Sequence, residues 1–140
     1  MKQLVAICFL MLLSSCNIRS SYQHMPYDGR QVSIDIRTLK EAAPAFYSVI
    51  IEGKRINFFV VLLNGEVSSY FDACNECYKK KRGYRWDEGS MICKTCNVRF
   101  PFDKLDTGIG GCYPIRIRGS RKGDAYILDK EAIEAGLKYF

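Results

Sequence analysis

Hydrophobic and polar positions alternate with a period of two in several short stretches of the chain, which is typical of strands buried on one face. Val32, Ile34 and Ile36 alternate with Ser and Asp. Ile115 and Ile117 alternate with arginines, and the run AYIL follows a turn rich in glycine and basic residues. These patterns predict one strand near the start of the folded part and two near its end.

The stretch AFYSVIIEGKRINFFVVLLNGEVSSYF predicts three further strands, over roughly 46–51, 56–63 and 67–71. EGKR and NGE separate them, and Asn64-Gly65 is a strong signal for a two-residue hairpin. The run 58–63 is apolar at every position, which predicts a strand buried on both faces.

The last residues predict a short helix over KEAIEAGLKY, capped by Asp129, with Ala132, Ile133 and Leu137 on one side. Strands at short spacing predict a mainly β protein, a small sandwich or barrel with this C-terminal helix. We expect the folded domain to span residues 31–140.

The first residues, MKQLVAICFLMLLSSC, have the basic start and short apolar run of a secretory signal peptide, predicted over 1–15. Leu13-Ser14-Ser15-Cys16 resembles a bacterial lipobox, which implies lipidation of Cys16 and a membrane-anchored lipoprotein exported to the bacterial cell envelope. The alternative is a plain signal peptide that contains a cysteine. Residues 16–30 are polar and predict a flexible tether, in which the only histidine, His24, is expected to be solvated.

The chain has 140 residues, 48% of them hydrophobic, and a formal net charge of +6. A domain of this size can bury its own core. Because the protein is expected to be exported, nucleic acid is an unexpected partner in spite of the positive charge. The basic residues would instead favour contact with an acidic protein or lipid surface. Because the sequence has no Ser/His/Asp arrangement, phosphate loop or carboxylate pair of the kind enzymes use, we expect no hydrolase or transferase.

Two Cys-x-x-Cys pairs, Cys74/Cys77 and Cys93/Cys96, are the strongest chemical signal, since two such loops can converge on one four-thiolate site. Four interpretations are open: zinc, an iron–sulfur cluster, two disulfides, or a thiol–disulfide oxidoreductase. A disulfide within each pair would close a tiny loop and stabilise little. The oxidoreductase lacks the βαβ pattern expected around its motif.

The order of strands, ligand loops and the GIGGCYPI loop resembles Rieske-type domains, but cysteine stands at every histidine position. A closer resemblance is to the FtrD-like membrane iron–sulfur protein family, carried by FDACNECY, KKRGYR, ICKTCNVRFP, GIGGCYPI and the terminal EAGLKYF, from about Ile34 to the end. Together, the two resemblances imply a Rieske-like scaffold with an inserted two-loop, four-cysteine site.

The family resemblance implies that Cys74, Cys77, Cys93 and Cys96 bind an iron–sulfur cluster, with [2Fe–2S] as the first expectation and zinc as the alternative. It also implies one-electron transfer at the envelope, with a redox or iron-transport partner in ferrous-iron uptake. Cys112 follows Gly110-Gly111 and is expected near the site, as a fifth ligand, a reactive thiol or a structural cysteine.

A basic run, Lys79, Lys80, Lys81 and Arg82, lies between the ligand pairs. Cations near an all-thiolate centre would offset its negative charge, and they could also guide an acidic redox partner. The alternative is an ordinary solvated loop. We expect the aromatic residues Tyr78, Tyr84 and Trp86 to pack against the site and exclude water.

Overall fold

The computed structural model describes residues 21–140. The predicted signal peptide, Cys8 and the predicted lipidation site Cys16 lie outside the described residues. Eleven strands are present among the described residues: β1 Gln23–His24, β2 Gln31–Asp35, β3 Pro44–Ile51, β4 Lys54–Leu63, β5 Glu66–Cys74, β6 Tyr84–Asp87, β7 Ser90–Cys93, β8 Arg99–Pro101, β9 Pro114–Ile117, β10 Ser120–Lys122 and β11 Ala125–Asp129.

A five-stranded sheet, in the order β1-β3-β4-β5-β9, forms the centre of the domain. Strands β3, β4 and β5 are the predicted antiparallel meander. Asn64 and Gly65, which join β4 to β5, both have positive φ, as a two-residue hairpin of twisted strands requires. Glu52 and Gly53 do the same between β3 and β4.

Two three-stranded sheets flank the central one. The first has the order β10-β11-β2 and joins the predicted early strand to the end of the chain. The second has the order β6-β7-β8 and lies entirely between the first ligand pair and Cys112. Strands β6–β8 were not predicted, because they are only three or four residues long.

Strand β4 is buried on both faces, as predicted, and it separates two hydrophobic cores. Phe58 and Val60 face the core shared with the β10-β11-β2 sheet. Phe59 and Val61 face the core shared with the β6-β7-β8 sheet, and this second core contains Cys74 and Cys93. The candidate metal ligands therefore belong to the second core and its edge, separate from the first core.

The predicted C-terminal helix is confirmed in part. Asp129 caps α1, Lys130–Glu134, by accepting a hydrogen bond of 2.9 Å from the Ala132 N–H. From Ala135 to Tyr139 the chain continues as a 3-10 helix. Gly136 packs against the Phe71 ring so closely that a Cβ would lie 2.3 Å from it.

Part of the predicted tether is packed against the domain. β1 pairs in parallel with β3, and Met25 and Tyr27 contact the first core. His24 is exposed. The packed part of the chain therefore begins before the expected boundary at residue 31. No helix within residues 21–140 is long and apolar enough to cross a membrane.

Candidate metal centre

The first ligand loop is built at the end of the long central strand β5. Cys74 is its last residue, and the Cys77 N–H donates to the Cys74 carbonyl over 3.1 Å. The Lys80 N–H then donates to the Cys77 carbonyl over 3.0 Å, which starts a short 3-10 helix, Tyr78–Lys80. These successive turns point both thiols toward one side of the loop.

The second ligand loop follows β7 and reverses the chain into β8. The Asn97 N–H donates to the Cys93 carbonyl over 2.9 Å, and the Cys93 N–H donates to the Val98 carbonyl over 3.1 Å. Asn97 has φ 59°, a left-handed conformation that asparagine tolerates better than most residues. The backbone N–H groups of Thr95 and Cys96 act to lower the pKa of the Cys93 thiol, against the larger effect of its burial.

The four sulfur atoms of Cys74, Cys77, Cys93 and Cys96 all lie within 4.8 Å of one another. All five described cysteines are free thiols. Cys74 and Cys93 are buried, Cys77 is half-buried and Cys96 is exposed. The predicted convergence is thus present, and the donor set, four thiols in a half-enclosed pocket, fits a soft metal ion such as iron or zinc.

Burial and the neighbouring thiols shift the pKa values of three of the four cysteines. Burial, followed by the charge of Cys93, raises the pKa of Cys77 far above its ordinary range. Burial also raises the pKa of Cys93. For Cys96, burial acts to raise the pKa, but the Val98 N–H and neighbouring thiols outweigh it and lower the value. Four thiolates this close repel one another, so a bound cation would stabilise the ionised group.

A clamp of two hydrogen bonds joins the two ligand loops. The Asp72 carboxylate, on β5, accepts the Tyr84 N–H over 2.7 Å. The Gly83 carbonyl accepts the Lys94 N–H over 3.0 Å. Asp72 is two residues before Cys74 and Lys94 directly follows Cys93, so this clamp sets the distance between the loops.

Asp72 is 5% exposed and also accepts a hydrogen bond from the Tyr22 hydroxyl. Burial raises its pKa despite these donors. Asp72 was not predicted as a site residue. The GYR that places Gly83 and Tyr84 was visible in the sequence, but their contact with Asp72 depends on the fold.

Aromatic rings form the buried wall behind the thiols. Tyr84 is fully buried, lies 5.8 Å from Phe59 and 6.0 Å from Phe100 between ring centroids, and contacts Cys74. Tyr78 lines the pocket next to Cys77, so two of the three aromatic predictions are confirmed. The prediction for Trp86 is wrong: its side chain is 49% exposed and lines a surface depression with Thr38 and Pro44.

Cys112 lies beside the four-thiol group without belonging to it. Its thiol interacts with those of Cys96 and Cys74, and burial raises its pKa to about 11. Its loop is held by paired hydrogen bonds with Ile109 and by the Asn75 N–H, which donates to the Tyr113 carbonyl over 3.0 Å. The role of Cys112 as a fifth ligand, a reactive thiol or a structural cysteine stays a prediction.

The basic run is exposed and close to the thiols. Lys79, Lys80, Lys81 and Arg82 are all solvent-exposed, and none of the four forms a salt bridge with another described residue. Lys81 and Arg82 line the same 270 Å³ pocket as Cys74, Cys77 and Cys93. Their charge is therefore available to the site and to a partner.

The comparison with protein families decides the identity of the domain. The model of the family described as "Membrane iron-sulfur containing protein FtrD-like" matches residues 39–140. The chain belongs to the FtrD-like family. A search of the curated proteins found no match.

The FtrD-like match covers both ligand pairs, the clamp, the second three-stranded sheet and Cys112. The family's description is that of an iron–sulfur-containing membrane protein, which agrees with the cluster of four thiols. The mainly β fold is confirmed. The Rieske-like scaffold is not confirmed and stays a prediction.

Proposed function

We propose that this protein is a lipid-anchored electron carrier of the bacterial cell envelope, in which Cys74, Cys77, Cys93 and Cys96 bind a redox-active iron–sulfur centre. The observation that carries the proposal is the convergence of four thiol sulfurs within 4.8 Å. The family description supports iron as the metal. Bound iron would supply a one-electron couple, whose potential the protein sets by burial, charge and hydrogen bonding.

The surroundings of the thiols suit outer-sphere electron transfer. Cys74 and Cys93 are buried against Tyr84 and Phe100, which exclude water from one side. Cys96 is exposed, so a partner can approach the centre at that edge. The backbone N–H groups of Thr95, Cys96 and Val98, which act to lower the pKa values of Cys93 and Cys96, would offset thiolate charge and favour the reduced state.

The partner is proposed to be an acidic envelope protein that takes part in ferrous-iron uptake. The cations of residues 79–82 are exposed, and Lys81 and Arg82 border the thiol pocket, which supports docking of a negatively charged surface. Cys16, as the lipid attachment point, would hold the domain at the membrane face. The family's membrane description agrees with this location.

A structural zinc module that acts as an assembly or binding subunit is the second candidate. Its support is the same sulfur geometry, because four cysteines around a tetrahedral ion are one of the usual structural zinc sites. The two candidates differ in what the bound metal does, since zinc has no redox couple.

The metal content of cysteine variants tests the proposal. The full chain, purified anaerobically in detergent, is compared with Cys93→Ser and Cys96→Ser for iron and zinc by elemental analysis. We expect iron in the unsubstituted protein and loss of the metal in both variants. Full occupancy in both variants would refute the ligand assignment, and zinc in place of iron would favour the structural module.

A further inference from the structure

We infer that the four-cysteine site is mononuclear: it holds one tetrahedrally coordinated metal ion and no bridging sulfide. The inference deepens the proposed function, on which the identity of the metal as iron rests. It replaces the first expectation of a [2Fe–2S] cluster. Three observations carry it: the sulfur spacing, the clamp between the loops, and the packing behind the second loop.

The sulfur spacing is that of a single ion. A metal–thiolate bond of about 2.3 Å places the corners of a regular tetrahedron about 3.8 Å apart. The four sulfurs lie within 4.8 Å of one another, so each pair must contract by at most about 1 Å to bind one ion.

A two-iron cluster needs a wider arrangement. Each pair of thiolates would bind its own iron, and the two irons are held apart by bridging sulfides. Thiolate sulfurs on different irons are then separated by roughly 5.5 Å or more. Their separation includes the iron–iron distance and, at each iron, the part of the iron–sulfur bond that points away from the other iron. The four ligand sulfurs are all closer to one another than this. A cluster would require the two loops to move apart.

The clamp opposes such a movement. Tyr84 N–H to Asp72 and Lys94 N–H to the Gly83 carbonyl are hydrogen bonds of 2.7 and 3.0 Å, and they are joined through the Gly83–Tyr84 peptide. Spreading the loops would break at least one of them. Asp72 is 5% exposed, so its carboxylate would be left buried without that donor.

The second loop also rests on a packed core. It is carried by the β6-β7-β8 sheet, and Met91 and Phe100 of this sheet are fully buried. Phe100 packs on Tyr84, which packs on Phe59 of the central sheet at 5.8 Å. Such close-packed interiors have low compressibility and oppose a shift of the second loop away from the first. The separation of the ligand pairs is therefore fixed by the fold and suits one ion.

Iron X-ray absorption and acid-labile sulfide together test the inference. The full chain is produced anaerobically with iron and sulfide both in supply, so that a cluster can assemble if the site accepts one. We expect one iron per chain, no acid-labile sulfide, and one shell of sulfur neighbours without an iron neighbour. Two irons per chain with an iron neighbour and matching sulfide would overturn the mononuclear site while leaving the electron-transfer function standing.

The other outcomes separate the two proposals. One zinc and no iron per chain would preserve the single-ion geometry and refute the proposed electron transfer. A protein that binds neither metal under these conditions would contradict both. Loss of bound iron in Cys93→Ser serves as the control that the absorption signal comes from this site.

Discussion

Replacement of Gly83 by alanine should destabilise the domain because of a specific collision at the clamp. Gly83 has φ +66°, and a Cβ there would lie 2.2 Å from one Asp72 carboxylate oxygen and 2.7 Å from the other. Asp72 is buried and bonded to the Tyr84 N–H, so it cannot swing into solvent as a flexible surface side chain would. The carboxylate must move, and the hydrogen bond is lost.

Two terms set the size of the effect. A left-handed backbone conformation costs an L-residue about 1–2 kcal/mol. Loss of the bond to a buried carboxylate costs about 1–3 kcal/mol more. Together they predict that Gly83→Ala lowers the free energy of unfolding by about 2–5 kcal/mol. The variant should also retain less metal, because the clamp positions Cys74 relative to Cys93.

Gly89→Ala is the matched control. Gly89 has φ +73°, nearly the same as Gly83, but nothing lies within 4 Å of the position a Cβ would take. It should therefore lose only the conformational term, about 1–2 kcal/mol. Urea unfolding of both variants at the same metal loading gives the two free energies. Equal losses in Gly83→Ala and Gly89→Ala would refute the collision with Asp72.

Three further predictions concern the fifth thiol, the basic run and the C-terminal helix. Cys112→Ser should retain the bound metal in elemental analysis, because Cys112 lies outside the group of four sulfurs; complete loss would make it a required ligand. Alanine at all of residues 79–82 should slow oxidation of the reduced protein by ferricyanide several-fold at low salt in stopped-flow measurements. The difference should vanish near 1 M salt, where the Debye length is about 3 Å, and a difference that persists there would exclude steering by charge. Asp129→Ala should lower the free energy of unfolding by about 1 kcal/mol through loss of the bond to the Ala132 N–H, and an unchanged urea midpoint would contradict that role.

The sequence predicts those features that depend on local pattern. The uniformly apolar run 58–63 identified β4, Asn64-Gly65 identified its hairpin, and the position of Asp129 identified the helix cap. The two Cys-x-x-Cys spacings indicated a shared site because such loops turn tightly whatever surrounds them. Each of these signals lies within a few residues of the feature it predicts.

Features set by long-range contacts could not be read in the same way. The β6-β7-β8 sheet has no sustained alternation: Trp86 is large and apolar yet half-exposed, while Ser90 is polar and buried. The clamp joins Asp72 to Tyr84 across twelve positions, and no spacing rule indicates that contact. Sulfur separations depend on how the two cores are packed, so the choice between one ion and a cluster was not available from the cysteine spacing.

A redox titration of the bound centre shows whether this protein carries electrons. The full chain, purified anaerobically in detergent, is titrated while its visible thiolate-to-iron charge-transfer absorption and its iron content are followed. We expect one reversible, single-electron transition per bound iron, absent in Cys96→Ser. A colourless protein loaded with zinc, or absorption that does not respond to potential, would contradict it.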